Sequence, residues 1–432
     1  IKKNDIFFAI KGKKKDGNLY LKEAFKKGAS LAIVNKFNKL IKKSKQIKVK
    51  NSLDFLTTTA KKIRENSSSK IIAITGSCGK TSLKELLSNT LGKFGKVTAS
   101  PKSFNNKYGV PLSLFNLKTK DNFGIFEVGM DKKGEIDFLS KIIKPDVGII
   151  TNISYAHAKN FKNINEIALA KAEIIKNIKN NGILVLNADD KFFSLHKKIA
   201  SKRNLKIYSF STYKKNADIS LNNIKKDKNK YKLNLNINNK KKCFLIASNF
   251  ENYIKNILAA ITVISIFKDA TKLNKNIFHD FKMPDGRGDI SKIKINKKNI
   301  FLIDESYNSN PLSLVSAIKN FNLIKVKSAK KHLLLGDMLE LGKHSKKLHS
   351  ELIPIINSSS IDKVNIFGKH IKETYKNINI SKKGLILNKT SEIISLIKSR
   401  INNNDYLMIK GSNSTGLNKL TKNLKLRNLN AL

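Results

Sequence analysis

The stretch AITGSCGKTS, residues 73–82, gathers two glycines, a lysine and several hydroxyls into one short turn. Gly76 and Gly79 allow a backbone to wrap a phosphate, Lys80 supplies a point charge, and Thr81 offers a hydroxyl to Mg²⁺. Ser77, Cys78 and Ser82 complete the loop. The strand-like KIIAIT precedes it, and Leu83, Leu86, Leu87, Thr90 and Leu91 follow at helical spacing. A loop between a strand end and a helix start presents free N–H groups and the positive end of a helix dipole, which favour an anion. The full GxxxxGK[ST] spacing fails because position 74 is Ile. A glycine turn with a capping threonine would contain the same residues, but the strand-to-helix context favours a phosphate loop.

A second lysine stands out by position. In INEIALAKAEIIKNI, Ile164, Ile167, Lys171, Ile174 and Ile178 recur at 3–4 spacing, so Lys171 falls inside the apolar stripe of a helix, whereas Lys176 and Lys179 lie off it. Burial lowers a lysine's pKa and raises its neutral-amine fraction. The alternative is a side chain that snorkels out from the stripe edge. Glu127 ends the strand-like FGIFEV, where a side chain can enter a cleft at the carboxyl ends of parallel strands. His157 follows the strand-like DVGIIT by a few residues.

These residues need a frame to hold them. The expected fold class is α/β in three domains. Residues 1–66 read as a small α/β unit, with strands in DIFFAIKG and SLAIVNK around the helix LYLKEAFKKGA, and ENSSSK (65–70) reads as a linker. Residues 67–281 alternate short apolar strands (KIIAIT, FGIFEV, DVGIIT, GILVLN) with amphipathic helices, which predicts a mostly parallel, P-loop ATPase-like sheet. Within them, 201–248 alternate apolar and polar residues and read as an antiparallel appendage. Residues 282–432, from KMPDGRGD onward, carry strand candidates NIFLID, KHLLLGD, KVNIFG and DYLMIKG and read as a Rossmann-like domain. No GxGxxG occurs, so a dinucleotide is not indicated.

Lys plus Arg number 85 and Asp plus Glu 32, so the net charge is 85 − 32 = +53. Such a charge would suit a nucleic-acid binder. Yet Arg64, Arg203, Arg287, Arg400 and Arg427 are the only arginines, and base and phosphate readers favour arginine's planar fork. Abundant Lys, Asn and Ile are expected of adenine- and thymine-rich codons filling solvated positions, whereas a nucleic-acid binder should interleave aromatics and basics in one patch, and here lysine is spread evenly and Trp is absent. Cys78 and Cys243 are the only cysteines, which argues for a reducing compartment. No apolar run approaches a membrane span and no signal peptide is visible. The chain starts at Ile1, so part of the natural N-terminus is expected to be missing.

TGSCGKTS resembles the short phosphate loop of the Mur ligases, ATP-dependent amide ligases of peptidoglycan synthesis. NNKYGVPLSL, FEVGM, GEI, ITNISYAH, AKAEI, LNADD, NILAA, GRGD, IDESYNSNP and LGDMLELG follow in the family's order. YNSNP and LGDMLELG are most similar to the branch that joins D-alanyl-D-alanine to UDP-N-acetylmuramoyl-tripeptide. A sibling branch adds diaminopimelate or lysine, but its Asp-Asn-Pro-Arg loop is absent here.

The resemblance implies one role per domain: sugar-peptide binding, ATP binding, and closure over the site with the dipeptide. It implies ATP and two Mg²⁺ ions, with an acyl phosphate attacked by the dipeptide amine. Thr81 and Glu127 match ligands of the first Mg²⁺. His157 and a carbamylated Lys171 match the second. Asn105 and Asn106 match the γ-phosphate side, Asn256 a nucleotide contact, Arg287 a phosphate contact, and Asp304 a ribose reader. Asn308 and Asn310 belong to the YNSNP loop on the substrate side. Asp16 and Gly17 mark the uridine region. Two departures are visible: the family's usual His-Asn is Asn252–Tyr253, and Asn413 replaces the arginine of Lys-Gly-Ser-Arg. The expected working form is a cytoplasmic monomer with no nucleic acid and no membrane insertion.

Overall fold

The computed structural model describes residues 1–12, 15–228, 230–247, 250–279 and 281–426. The described residues form three sheets. The first is small and parallel, with β1 (Ile6–Phe8), β2 (Leu31–Val34) and β3 (Gln46–Lys48) in order β1-β2-β3. Helix α1 (Leu21–Lys26) lies between β1 and β2, and α2 (Ser52–Glu65) follows β3. Asn51 caps α2 by accepting from Leu53 N and Asp54 N. The helix ends where the polar linker begins.

The second sheet has nine strands. They are β4 (Lys70–Thr75), β5 (Val97–Ala99), β6 (Phe123–Glu127), β7 (Val147–Ile150), β8 (Ile183–Asn187), β9 (Lys206–Ser211), β10 (Ile219–Asp227), β11 (Lys230–Ile237) and β12 (Lys240–Ile246). Their order is β12-β11-β10-β9-β8-β7-β4-β6-β5. Pairings from β5 through β10 are parallel, and β10-β11-β12 is an antiparallel meander. The segment read as an appendage is therefore an extension of the main sheet, because β10 pairs in parallel with β9.

Alternation along β4 sorts side chains to two faces. Ile71 and Ala73 enter one apolar cluster, with α5 (Glu135–Ile143) and α6 (Ile164–Lys176). Ile72 and Ile74 enter the other, with α3 (Lys80–Leu91) and α8 (Glu251–Phe267). Two shorter helices also belong to this region, α4 (Gly109–Phe115) and α7 (Phe193–Ser201). Covering both faces is what a parallel sheet requires.

The third sheet runs β13-β14-β18-β15-β16-β17. Its strands are β13 (Asp289–Ile295), β14 (Lys298–Glu305), β15 (Lys331–Gly336), β16 (Lys363–Phe367), β17 (Lys383–Leu387) and β18 (Tyr406–Lys410). Only β13 is antiparallel to its neighbour. Helix α9 (Pro311–Leu323) leaves β14 through the YNSNP loop. Arg64 of α2 docks the first unit onto the second: it is buried and donates to Ile143 O (2.8 Å), Lys144 O (2.8 Å) and Asp146 Oδ2 (3.3 Å).

Candidate active site

The carboxyl ends of β4, β6 and β7 open onto a cavity of about 2030 Å³, which is also lined by residues of the third sheet's domain. Ligands in open α/β sheets bind at such strand ends.

The turn from β4 to α3 is glycine-dependent at two points. Gly76 has φ +142, and a Cβ there would lie 1.9 Å from Thr151 Oγ1. Gly79, at φ +82, occupies the cap position of α3 and packs against Asn256. Thr151 and Asn152 brace the loop: Ser77 N donates to Asn152 O (2.9 Å), Cys78 N to Asn152 Oδ1 (2.9 Å), and Thr151 Oγ1 to Cys78 O (2.7 Å). The first N–H of the helix to close onto the turn is that of Leu83, onto Gly79 O. Among the described residues no side chain caps the helix, so its first turn faces the cavity with unsatisfied donors. Lys80 Nζ donates to Gly76 O (2.7 Å), and burial pushes its pKa down while Glu127 opposes the shift.

Beside the loop stands a polar chain. Arg287 donates from Nη2 to Thr81 Oγ1 (2.9 Å), Thr81 donates to Glu127 Oε2 (2.7 Å), and Asn105 Nδ2 donates to Glu127 Oε1 (2.7 Å). The Arg287 guanidinium lies 4.2 Å from the Tyr307 ring centroid, and the Tyr307 hydroxyl bonds Ser103 Oγ. Asn106 lines the cavity and accepts from Tyr108 N and Gly109 N at the start of α4.

Lys171 is 2 % exposed, so it does not snorkel. Its pKa is held well below the ordinary lysine value, first by burial and then by the nearby Lys80 ammonium. His157 adopts a left-handed backbone (φ 56) at the mouth. Its Nδ1 lies 2.6 Å from Glu340 Oε2 and 3.7 Å from Asp131 Oδ1. That trio was not foreseen, because Asp131, His157 and Glu340 come from three separate loops.

The YNSNP loop bridges the two larger units. Asn310 caps α9 by accepting from Ser313 N (2.9 Å), receives the Cys78 thiol (3.0 Å), and donates to Ser77 O (3.3 Å). Burial raises the Cys78 pKa, keeping it a thiol that can donate. Asn308 lines the cavity, and its carbonyl accepts from Lys410 Nζ (3.2 Å).

Four expected residues do not line the cavity: Gly76, Asp304, Asp16 and Gly17. Gly76 shapes the loop from behind. The Asp304 carboxylate is spoken for by Lys425 Nζ (2.7 Å) and by Ser306 N (3.1 Å). Strand alternation turns the next residue the other way, so Glu305 faces the cavity, paired with the buried Lys410 (3.2 Å). Of these two adjacent acidic residues, it is therefore Glu305 and not Asp304 that borders the cavity. Asp16 and Gly17 belong to the first unit, where Asp16 accepts from Asn18 N (2.9 Å).

Residues 74–264 match the Mur ligase middle domain, and residues 292–413 match the domain described as "Mur ligase, glutamate ligase domain". A Rickettsia prowazekii protein named UDP-N-acetylmuramoyl-tripeptide--D-alanyl-D-alanine ligase is 36% identical over 97% of this chain and 92% of its own length. The chain belongs to the Mur ligase family. A Bacillus subtilis Mur ligase of the same name is 27% identical over 98% of this chain and 91% of its own. Among solved Mur ligases, MurF from Acinetobacter baumannii superposes with TM-score 0.81 at 25% identity, covering 98% of this chain and 91% of its own. Mycobacterium tuberculosis folylpolyglutamate synthase shares the fold at TM-score 0.65 and 13% identity, covering 86% of this chain and 94% of its own.

Proposed function

We propose that this chain joins D-alanyl-D-alanine to UDP-N-acetylmuramoyl-tripeptide at the expense of ATP, for peptidoglycan precursor synthesis. The observation that carries the reading is one cavity bordered both by the phosphate loop and by Arg287, Asn308, Asn310 and Lys410 of the third unit. The name shared by the curated relatives supplies the substrates. A Thermotoga maritima MurF described as a complex with ADP has the same fold (TM-score 0.82, 24% identity) and supports ATP as the nucleotide. In this reading residues 1–66 hold the sugar-peptide, 67–281 the nucleotide and 282–432 the dipeptide. ATP as substrate suits a cytoplasmic reaction. No described helix is long and apolar enough to cross a membrane.

The chemistry is dominated by charge control, because a carboxylate must approach a triphosphate. The N-terminal turn of α3 and Lys80 take the phosphates, and Arg287 reaches the same point from the other unit. Glu305 is positioned for the ribose hydroxyls. The tripeptide carboxylate attacks the γ-phosphorus, and ADP leaves. The dipeptide amine then attacks the acyl phosphate, and the tetrahedral intermediate expels phosphate to leave the amide. Thr81 and Glu127 are hard oxygen donors 2.7 Å apart and fit a magnesium ion, which when bound neutralises phosphate charge. Lys171 fits carbamylation: it is buried, its amine is biased toward neutrality, and a new carboxylate there would give His157 a partner for a second ion. The test is phosphate release from ATP with the purified precursor. D-alanyl-D-alanine should support it, and D-alanine, lysine or diaminopimelate alone should not. Equal turnover with a single amino acid refutes the assignment.

A further inference from the structure

Lys84 is among the largest fully buried side chains of the described residues, with a relative exposure of 0%. It lies one helical turn beyond Lys80 on α3, in line with Leu87 and Leu91. Its Nζ donates to Ser100 O (2.5 Å) and to Lys102 O, and it meets Glu85 Oε1 at 2.8 Å. Taking an ammonium out of water is costly, and two carbonyls with one part-exposed carboxylate are modest compensation. A methionine would fill the same space without that cost. The charge therefore has work other than packing.

The two carbonyls belong to the turn that follows β5. Lys102 is itself left-handed (φ 49), so the turn is not one that an ordinary chain adopts unaided. Three groups on this turn reach the site. Ser100 Oγ accepts from Glu127 N (3.2 Å), Ser103 Oγ bonds the Tyr307 hydroxyl beneath Arg287, and Asn105 holds Glu127 Oε1. Both Glu127 carboxylate oxygens are thus fixed, one by Thr81 and one by Asn105.

We infer that Lys84 is a positioning residue for the ligase reaction: its buried ammonium pins the Ser100 and Lys102 carbonyls so that Asn105 orients the Glu127 carboxylate. The inference rests on the reading of Glu127 as a metal ligand. Its distinctive consequence is in magnesium dependence, since the two phosphates of ADP would meet the glycine loop and not this turn.

The experiment uses the full chain with Lys84→Met, Lys84→Gln, Asn105→Ala and the Lys84→Met/Asn105→Ala double variant. Phosphate release is measured against Mg²⁺ concentration, and ADP binding is measured by calorimetry with and without Mg²⁺. Lys84→Met should raise the Mg²⁺ half-saturation about fivefold, the effect of one misplaced hydrogen-bonded ligand. Lys84→Gln keeps a donor and should fall between. ADP affinity without Mg²⁺ should change by less than about twofold, and the double variant should shift no further than the larger single, as expected of one shared route. A variant that melts like the parent yet keeps the parent's Mg²⁺ half-saturation overturns the inference, as do additive shifts. If Lys84→Met does not fold, Lys84→Gln carries the same comparison, and unfolding of both makes the residue purely structural and also overturns it. A parent chain that binds MgADP but makes no product would sink the ligase reading instead, and the ADP measurements would still report on Lys84.

Discussion

Lys171→Ala should abolish nearly all ligase activity, and acetate should restore part of it. The whole side chain is buried, so alanine removes about three methylenes and an ammonium. Lost burial costs roughly 0.8 kcal/mol per methylene, about 2.4 kcal/mol in all. Release of a buried polar amine offsets part of this, so stability should move by less than about 2 kcal/mol. Turnover is another matter. Removing one preorganised electrostatic group from a transition state costs on the order of 10²–10³ in kcat. Acetate can enter the vacated space and present the carboxylate that a carbamate would have carried. It must be immobilised first, so recovery should stop at roughly tenfold over the unrescued variant. Lys171→Arg should stay inactive at every acetate concentration, because arginine fills the space and forms no carbamate. The assay is phosphate release across an acetate titration, with thermal melts alongside. An active Lys171→Arg enzyme that ignores acetate would refute the carbamate reasoning.

Other outcomes follow from groups already described. Lys80→Ala should lose about 10²–10³ in kcat with its melting curve intact, and wild-type turnover at saturating ATP would remove Lys80 from the phosphate site. Arg64→Ala strands the Ile143 and Lys144 carbonyls, while Asp146 keeps Ile71 N and Lys179, and it should destabilise by about 2–4 kcal/mol in thermal denaturation. Acid should destabilise the fold below about pH 6.5 through His196, His332 and His349, whose pKa values burial lowers. Their unfolded forms bind protons first, so stability falls as pH drops through the unfolded value, by up to about 1.4 kcal/mol per pH unit for each histidine. His349 is the clearest case, since Nε2 accepts from Met338 N (3.2 Å) while Nδ1 meets Ser345 O (2.8 Å), which requires the neutral ring. Melting temperatures from pH 7.5 to 5 should fall less steeply in His349→Asn, and an unchanged slope would count against this assignment.

What the sequence made legible was local. The glycine-rich loop between a strand and a helix needs only residues 70–91 to be recognised, and the structure has it there. Lysine in an apolar stripe is equally local. It marks Lys171, and it marks Lys84 as well, between Leu83 and Leu87, where abundant lysine hides it. Strand period could also have chosen Glu305 over Asp304, had the direction of one neighbour been known. The long-range pairings were not legible. Arg287 stacking on Tyr307 beside Ser103, and Asn310 meeting the Cys78 thiol, join residues about two hundred positions apart. Nothing in either segment alone encodes the partner. The meander β10-β12 shows the same limit: its alternation was readable, but the edge it would extend was decided by β9.

Arg287 and Thr81 lie 206 positions apart, and Asn310 and Cys78 lie 232 apart. Synthesis proceeds from the N-terminus at about 5–20 residues per second, so the phosphate loop leaves the ribosome roughly 10–40 s before the arginine that completes it. Through that interval the glycine turn exists without the arginine, the acceptor of the Cys78 thiol or the third unit's side of the cavity. Division of the cavity between distant segments thus makes it a late product of synthesis, and a chain cut short before Arg287 has the glycine turn without the wall that faces it.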